Sequence, residues 1–365
     1  MAKNREYFRG CLLGLAVGDA MGHTVDARTL QDIYRDYGPN GLLGYDLVNG
    51  YADVTSYTQV AAFAANGLLM GLTRRQLNLR MAPPVRYISA AVREWSRSQY
   101  YCPPERNYCW LSTLPEMKRR HCLDNRMLDI LAKGLAGTMD APVSRFNHPG
   151  ALTQVIPIVL LGDDLEMTEE ELDDLAAQTV ALTHGDPEAF LSGAALCRAL
   201  RLLLKQPHLH REEVLEQTRN AIQLEFGRKY AQTGKLWELL QLAVSLSHSD
   251  NVSPIEAMEQ LGCRTSAEVL AGVLYAVATC HGDFDAAMIT AVNHSGRSAA
   301  VGALTGAVLG LTLGESSLPD FYLESLEPAP YLAELADDLF QGCPMGAGSN
   351  LYDDDWDRKY LHGGK

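Results

Sequence analysis

The sequence predicts an all-α fold built as a single large helical domain. Three observations predict it. Apolar residues recur at spacings of three and four, as in Tyr7, Cys11, Leu12, Leu15 and Ala16. Helix-start signals stand before such stretches, and alternating strand patterns are scarce. No fixed repeat and no Gly/Ser/Pro linker divides the 365 residues, so one domain over 1–365 is expected.

Along the chain, Thr55 or Ser56 is a good N-cap for a helix running through Val60 to Leu69. Tyr100 to Trp110, with Pro103 and Pro104, reads as a loop. The acidic run Asp163 to Asp174 reads as a solvated helix start, with Thr168 and Glu171 as a capping box. Asp186-Pro187 and Ser253-Pro254 each pair an N-cap with a first-turn proline. Phe190, Ala194, Cys197, Leu200 and Leu204 form a second apolar stripe. Ser298 to Gly314 is the longest uncharged run. It falls short of the ~20 apolar residues a membrane span needs and predicts a buried helix. The tail from Gly342 to Lys365 reads as irregular.

Composition narrows the function. Lys and Arg number 31 against 45 Asp and Glu, a formal net charge of -14. That balance disfavours an extended nucleic-acid surface, which needs clustered cations, but leaves room for a small anion in a local positive pocket. The eight cysteines, including Cys102 and Cys122, form no CxxC pair and predict mostly buried, reduced thiols in a cytoplasmic protein. The polar stretch Met1 to Gly10 has no signal-peptide pattern, and no membrane contact is expected.

Four segments carry more glycine or polarity than packing alone asks for. The first is Gly14-Leu-Ala-Val-Gly18-Asp19-Ala20-Met21-Gly22, followed by Asp26. Its small residues permit close helix packing, and Asp19 either caps a neighbouring element or faces a ligand. In Thr55-Ser56-Tyr57-Thr58-Gln59, hydroxyls at a helix start serve as caps or help hold an anion. In Thr183-His184-Gly185-Asp186-Pro187-Glu188, Asp186 caps the next helix and His184 stands just outside it. Asn293-His294-Ser295-Gly296-Arg297-Ser298-Ala299-Ala300 opens the small-residue helix. It reads either as an anion cradle or as a structural loop with its arginine.

In this order, the four segments resemble the ADP-ribosylglycohydrolase family over about residues 5–315, leaving 316–365 as a C-terminal extension. Gly14 to Gly22 resembles its opening Gly-x-Ala-x-Gly-Asp-Ala-x-Gly pattern, and Asp26 stands where members usually carry glutamate. Gln59 and Phe63 to Leu69 follow the second motif, and His184 to Pro187 the His-x-x-Pro region. Gly150 to Pro157 is similar to a substrate loop of the form Gly-x-Ala-Met-Arg-x-x-Pro. The fourth segment is similar to the Gly-Asp-x-Asp-[Ser/Thr] helix start.

The resemblance implies an all-α fold around two magnesium ions and cleavage of the glycosidic bond joining ADP-ribose to an acceptor, usually arginine or serine. It also implies that Thr-Asp-Asp at the second motif and Asp-x-Asp-[Ser/Thr] at the fourth hold the metals, with help from the early glutamate. Two such ions bind ribose hydroxyls and hold a nucleophilic water.

This chain departs at those positions. Ser56 and Tyr57 replace the two aspartates of the second motif, with Thr55 kept. Arg297, Ala299 and Ala300 replace the acidic and hydroxyl residues of the fourth. Thr153 and Gln154 replace the usual Met-Arg of the substrate loop. Four carboxylates lost and one guanidinium gained shift the site by about five charge units. At ~4 Å each unit of repulsion is worth roughly 4 kcal/mol at an effective dielectric near 20. The expectation is therefore no magnesium pair, no other cofactor and a metal-free pocket, with Arg297 pairing either Asp26 or a ligand anion.

The expected ligand is ADP-ribose or a related nucleotide or sugar anion, or an ADP-ribosylated protein, held with little or no hydrolysis. The candidate contacts are Asp19, Thr55, Ser56, Tyr57, Gly150, Gln154, His184, Asn293, Ser295, Gly296, Arg297 and Ser298. Two alternatives stand beside this reading. One is a hydrolase with metal-independent chemistry, Asp26 and Asp186 acting as acid and base. The other is a structural or interaction role on the same fold, as in the family's lens-crystallin relatives.

Overall fold

The computed structural model describes residues 3–100, 107–121, 125–207, 209–231, 233–348 and 351–364. Among them the chain forms α-helices and no extended strand. In order these are α1 (Arg5–His23), α2 (Leu30–Tyr37), α3 (Ser56–Gln76), α4 (Pro84–Gln99), α5 (Pro115–Lys118) and α6 (Asn125–Ala132). Next come α7 (Ile156–Leu161), α8 (Glu169–Ala181), α9 (Pro187–Lys205), α10 (Arg211–Phe226), α11 (Thr233–Ser247) and α12 (Pro254–Leu261). The last are α13 (Ser266–Thr279), α14 (Phe284–Val292), α15 (Ser298–Leu313), α16 (Asp320–Glu324), α17 (Ala329–Gln341) and α18 (Asp354–Tyr360).

The caps read from the sequence form. Thr168 and Glu171 close a capping box on α8, as do Ser253 and Glu256 on α12, and Asp186 accepts from Glu188 N at the start of α9. The irregular tail is a correction: α18 forms there, started by the Asp353 cap and held by Trp356, whose Nε1 donates to Thr73 Oγ1 of α3 at 2.8 Å. That anchor lies 283 residues away, so no local pattern announces it. Of the loop read over Tyr100 to Trp110, residues 101–106 lie outside the described residues, and a 3-10 turn begins at Trp110. Cys102 and Cys122 also lie outside them. The described cysteines are unbridged, four buried and two partly so. No described helix is long and apolar enough to cross a membrane.

The centre of the fold is the antiparallel contact of α1 and α15. Gly10, Gly14 and Gly18 face Gly310, Gly306 and Gly302, and Gly22 faces Ser298. A methyl built on Gly14 would overlap the Gly306 carbonyl oxygen, and one on Gly306 would overlap that of Gly14. The four-residue glycine spacing therefore lets two backbones touch, as the packing reading of the first segment expected. The consequence for the site is positional. The C-terminal end of α1 and the N-terminal end of α15 are locked side by side.

A second buried feature gives a pH dependence. Arg198 of α9 donates to Asp173 of α8 at 2.6 Å and to Glu225 of α10 at 2.9 Å. The Asp173 side chain is 0% exposed. Burial pushes its carboxyl up to about 8 despite the guanidinium, and burial likewise pushes Glu225 up to about 7. A raised folded-state value means the folded protein keeps a proton that the unfolded chain releases from about pH 4. This contribution to stability is full below that pH and fades as pH rises toward 8. A melting series from pH 5 to 8.5 should show falling stability. Glu225→Gln should flatten it, and an unchanged slope would contradict the assignment.

Candidate functional site

Beyond α1 the chain turns sharply. Ala27 takes a left-handed backbone (φ 56) and its N–H donates to Gly296 O at 2.9 Å. The turn aims Asp26 at the start of α15. There its Oδ1 accepts from Ala299 N at 3.1 Å, and its Oδ2 accepts from Arg297 Nη1 at 3.3 Å. The Asp26 side chain is 5% exposed and that of Arg297 29%. Burial pushes the Asp26 carboxyl up, while the Ala299 N–H and the guanidinium pull it down. Asp26 thus acts as a carboxylate cap on α15, and the Asp26 form of the Arg297 pairing is the one observed.

The start of α3 is closed in the same way. Asp19, fully buried, accepts from Thr55 N (2.8 Å), Thr55 Oγ1 (2.6 Å), Thr58 N (3.0 Å) and Thr58 Oγ1 (2.6 Å). Ser56 N donates to His121 O at 3.0 Å, and Tyr57 N to Thr55 Oγ1 at 3.2 Å. In this structure the donors of Thr55 and Thr58 and the Ser56 and Tyr57 N–H groups at this helix start are engaged within the chain. A tethered carboxylate and a carbonyl already occupy those donors. Asp19 takes the capping role.

The fourth segment is likewise held by internal hydrogen bonds. Asn293 Oδ1 accepts from Leu42 N, and its Nδ2 donates to Leu42 O and Ile289 O. Ser295 N donates to Glu259 Oε1, and Ser295 Oγ accepts from Leu30 N. Gly296 N donates to His294 Nδ1 at 2.9 Å, Arg297 N to Cys263 O at 2.7 Å and Ser298 Oγ to His294 O at 3.4 Å. His294 Nε2 lies 2.9 Å from Ala291 O, so this ring carries its hydrogen on Nε2. Burial pushes its value down to about 4, leaving it neutral at physiological pH. Asn293, Ser295, Gly296 and Ser298 are thus parts of a knot tying α14, α15 and the α1–α2 turn. Ser295 and Arg297 are the members of the segment that are partly open to solvent.

Between α6 and α9 a third group assembles. His184 is buried, its Nδ1 2.8 Å from Thr183 Oγ1. Its ring stacks 6.4 Å from His148 and meets Phe146 edge-on at 6.1 Å. Gly150 fits between the imidazoles. A Cβ there would stand 3.2 Å from His148 Nδ1 and 3.4 Å from His184 Nε2. The same 3-10 turn, Pro149–Val155, carries the buried Gln154 and joins α3 through Thr153 Oγ1, which donates to Tyr57 O at 2.7 Å. Gly150, Gln154, Tyr57 and His184 are therefore neighbours along one wall. Asp186 caps α9, accepting from Glu188 N, and lies near Lys235. Asp26 has His23, Arg297 and Ala299 around it. The two carboxylates share no described partner.

Sequence reading missed four groups beside Asp26. His23 and His121 stack at 5.7 Å, and burial lowers the value of both. Asp53 lies near both rings and pairs with Arg119, which also binds Glu327 at 2.6 Å. His23, between the glycine motif and Asp26, carried a signal that proximity alone would have raised. His121 and Arg119 stand in no motif.

At the four positions where the resemblance puts metal aspartates, the chain presents a hydroxyl, a phenol, a guanidinium and a methyl. Hard divalent cations take anionic and carbonyl oxygens. Among the described residues no three His, Cys, Asp or Glu side chains gather as a metal-holding group.

Fold and site together define an all-α protein in which Asp19 and Asp26 close the starts of α3 and α15. The chain belongs to the ADP-ribosylglycohydrolase family, whose model matches residues 1–347. A protein of Archaeoglobus fulgidus, described only as uncharacterized, is 24% identical over 342 residues, covering 92% of this chain and 96% of its own length. A solved structure titled "ADP-ribosylglycohydrolase-related protein complex" shares the fold at a TM-score of 0.60 and 22% identity. The match covers 93% of this chain and 99% of that one.

Proposed function

We propose that this chain is a metal-free member of its family that binds ADP-ribose, or a related nucleotide or sugar anion, without the family's magnesium-dependent hydrolysis. The observation that carries the reading is the Asp26–Arg297 contact at the start of α15. The one carboxylate left from the expected ligand set is engaged by a guanidinium and a backbone N–H. A cation approaching it meets a fixed positive charge, and at ~4 Å each such repulsion costs roughly 4 kcal/mol at an effective dielectric near 20. No step of a reaction is routed through a metal here.

What supports ligand binding is the partly solvent-open guanidinium of Arg297 at the start of α15, and separately the buried imidazole pair of His148 and His184 around Gly150. An imidazole stack and a guanidinium suit a heteroaromatic ring and an anionic group. Calorimetry with ADP-ribose, with and without Mg²⁺, tests both parts. Binding whose Kd moves less than about twofold on adding Mg²⁺, with no release of free ADP-ribose from an ADP-ribosylated peptide, is expected. Magnesium strengthening the binding tenfold, about 1.4 kcal/mol, would contradict it.

A further inference from the structure

A half-open apolar groove of about 180 Å³ lies among α9, α10, α11, α13 and α15, and none of its lining residues belongs to the site above. Of its sixteen lining residues, only Arg211, Thr218 and Thr312 carry polar side chains; the rest are Leu, Val and Ala. Its volume exceeds the roughly 150 Å³ of an apolar protein cavity that takes up benzene. Walls of this composition give water too few partners, so the space favours an apolar occupant.

Two polar features bear on the occupant's chemistry. Thr218, midway along α10, is 2% exposed, and its hydroxyl has no hydrogen-bond partner among the described residues. Thr312, by contrast, gives its hydroxyl to Val308 O and Leu309 O. A buried hydroxyl without a partner is costly, but Thr218 stands seven residues along α10 from Arg211, so the occupant's charged group is placed by Arg211 alone. At the first residue of α10, Arg211 is exposed and is tied by one guanidinium nitrogen to Ala278 O. Its remaining donors hold a positive charge beside an apolar space.

We propose that this groove binds a small amphiphilic monoanion, an aliphatic or aromatic carboxylate of about eight carbons. Its apolar body lies among the Leu and Val side chains and its carboxylate at Arg211. The proposal is independent of whether the family site binds ADP-ribose. Octanoate, 1-octanol and acetate are the probes, followed by calorimetry on the full chain. Octanoate is expected to bind at least tenfold more tightly than acetate, because the chain supplies the burial. Arg211→Gln should weaken octanoate at least threefold and leave 1-octanol unchanged. Ala199→Leu and, separately, Val277→Phe fill the groove and should abolish both, with folding checked by thermal melting. Octanoate binding no better than acetate, or binding that survives in a folded filled variant, overturns the proposal.

Discussion

Gly306→Val is expected to destabilise the fold severely. At this position α1 and α15 touch through their backbones, and even a methyl would overlap the Gly14 carbonyl oxygen. Overpacking an ordinary core costs about 1–3 kcal/mol because side chains shift. Here the obstacle is a helical backbone, held in turn by Gly10, Gly18 and Gly22 along the same seam. The helices would have to separate along their whole length. A loss of about 4 kcal/mol or more is expected, a large part of the 5–15 kcal/mol available to a folded protein. Urea unfolding followed by circular dichroism measures it. Gly234→Ala, at a position with open space around it, is the control and should change little. A Gly306→Val protein with near-normal stability would show that the two helices are not in backbone contact.

Asp19→Ala is expected to cost about 3–5 kcal/mol without touching any ligand. Its carboxylate accepts four hydrogen bonds in a fully buried setting, two from backbone N–H groups at the start of α3. Removing it strands all four donors, and each stranded donor costs about 1–3 kcal/mol before relaxation. The lost helix cap contributes about 1 kcal/mol of the total. Asp19→Asn keeps one acceptor oxygen and should lose roughly half as much. Thermal melting of the two variants separates this capping role from a ligand role. A binder would lose affinity with stability intact, whereas a cap loses stability first.

Much of the fold was legible because its signals are local. Thr168 with Glu171, Ser253 with Glu256 and Asp186 with Pro187 are caps spelled within four residues, and each forms. The four-residue glycine spacing likewise announced close packing. At the site, the contact of Asp26 with Arg297 was legible as one of two pairings open to the guanidinium, because the two residues stand in motifs that the resemblance brings together. The spent donors were not legible. Asn293 is tied to Leu42 and Asp19 to Thr55, partners 251 and 36 residues apart. A helix start shows its N–H groups in the sequence but not the distant carboxylate or carbonyl that fills them. For the same reason Asp186 was legible as the cap of α9, and its relation to Asp26 was not.

The central claim, that the start of α15 holds an arginine–aspartate pair in place of two cations, is tested most directly with Mn²⁺, a spectroscopically visible stand-in for Mg²⁺. Titrating the full chain with Mn²⁺ and counting bound ions by electron paramagnetic resonance should leave the signal of the free ion undiminished at equimolar concentrations. Two ions bound per chain, displaced by Mg²⁺ and lost in Asp26→Asn, would contradict the account.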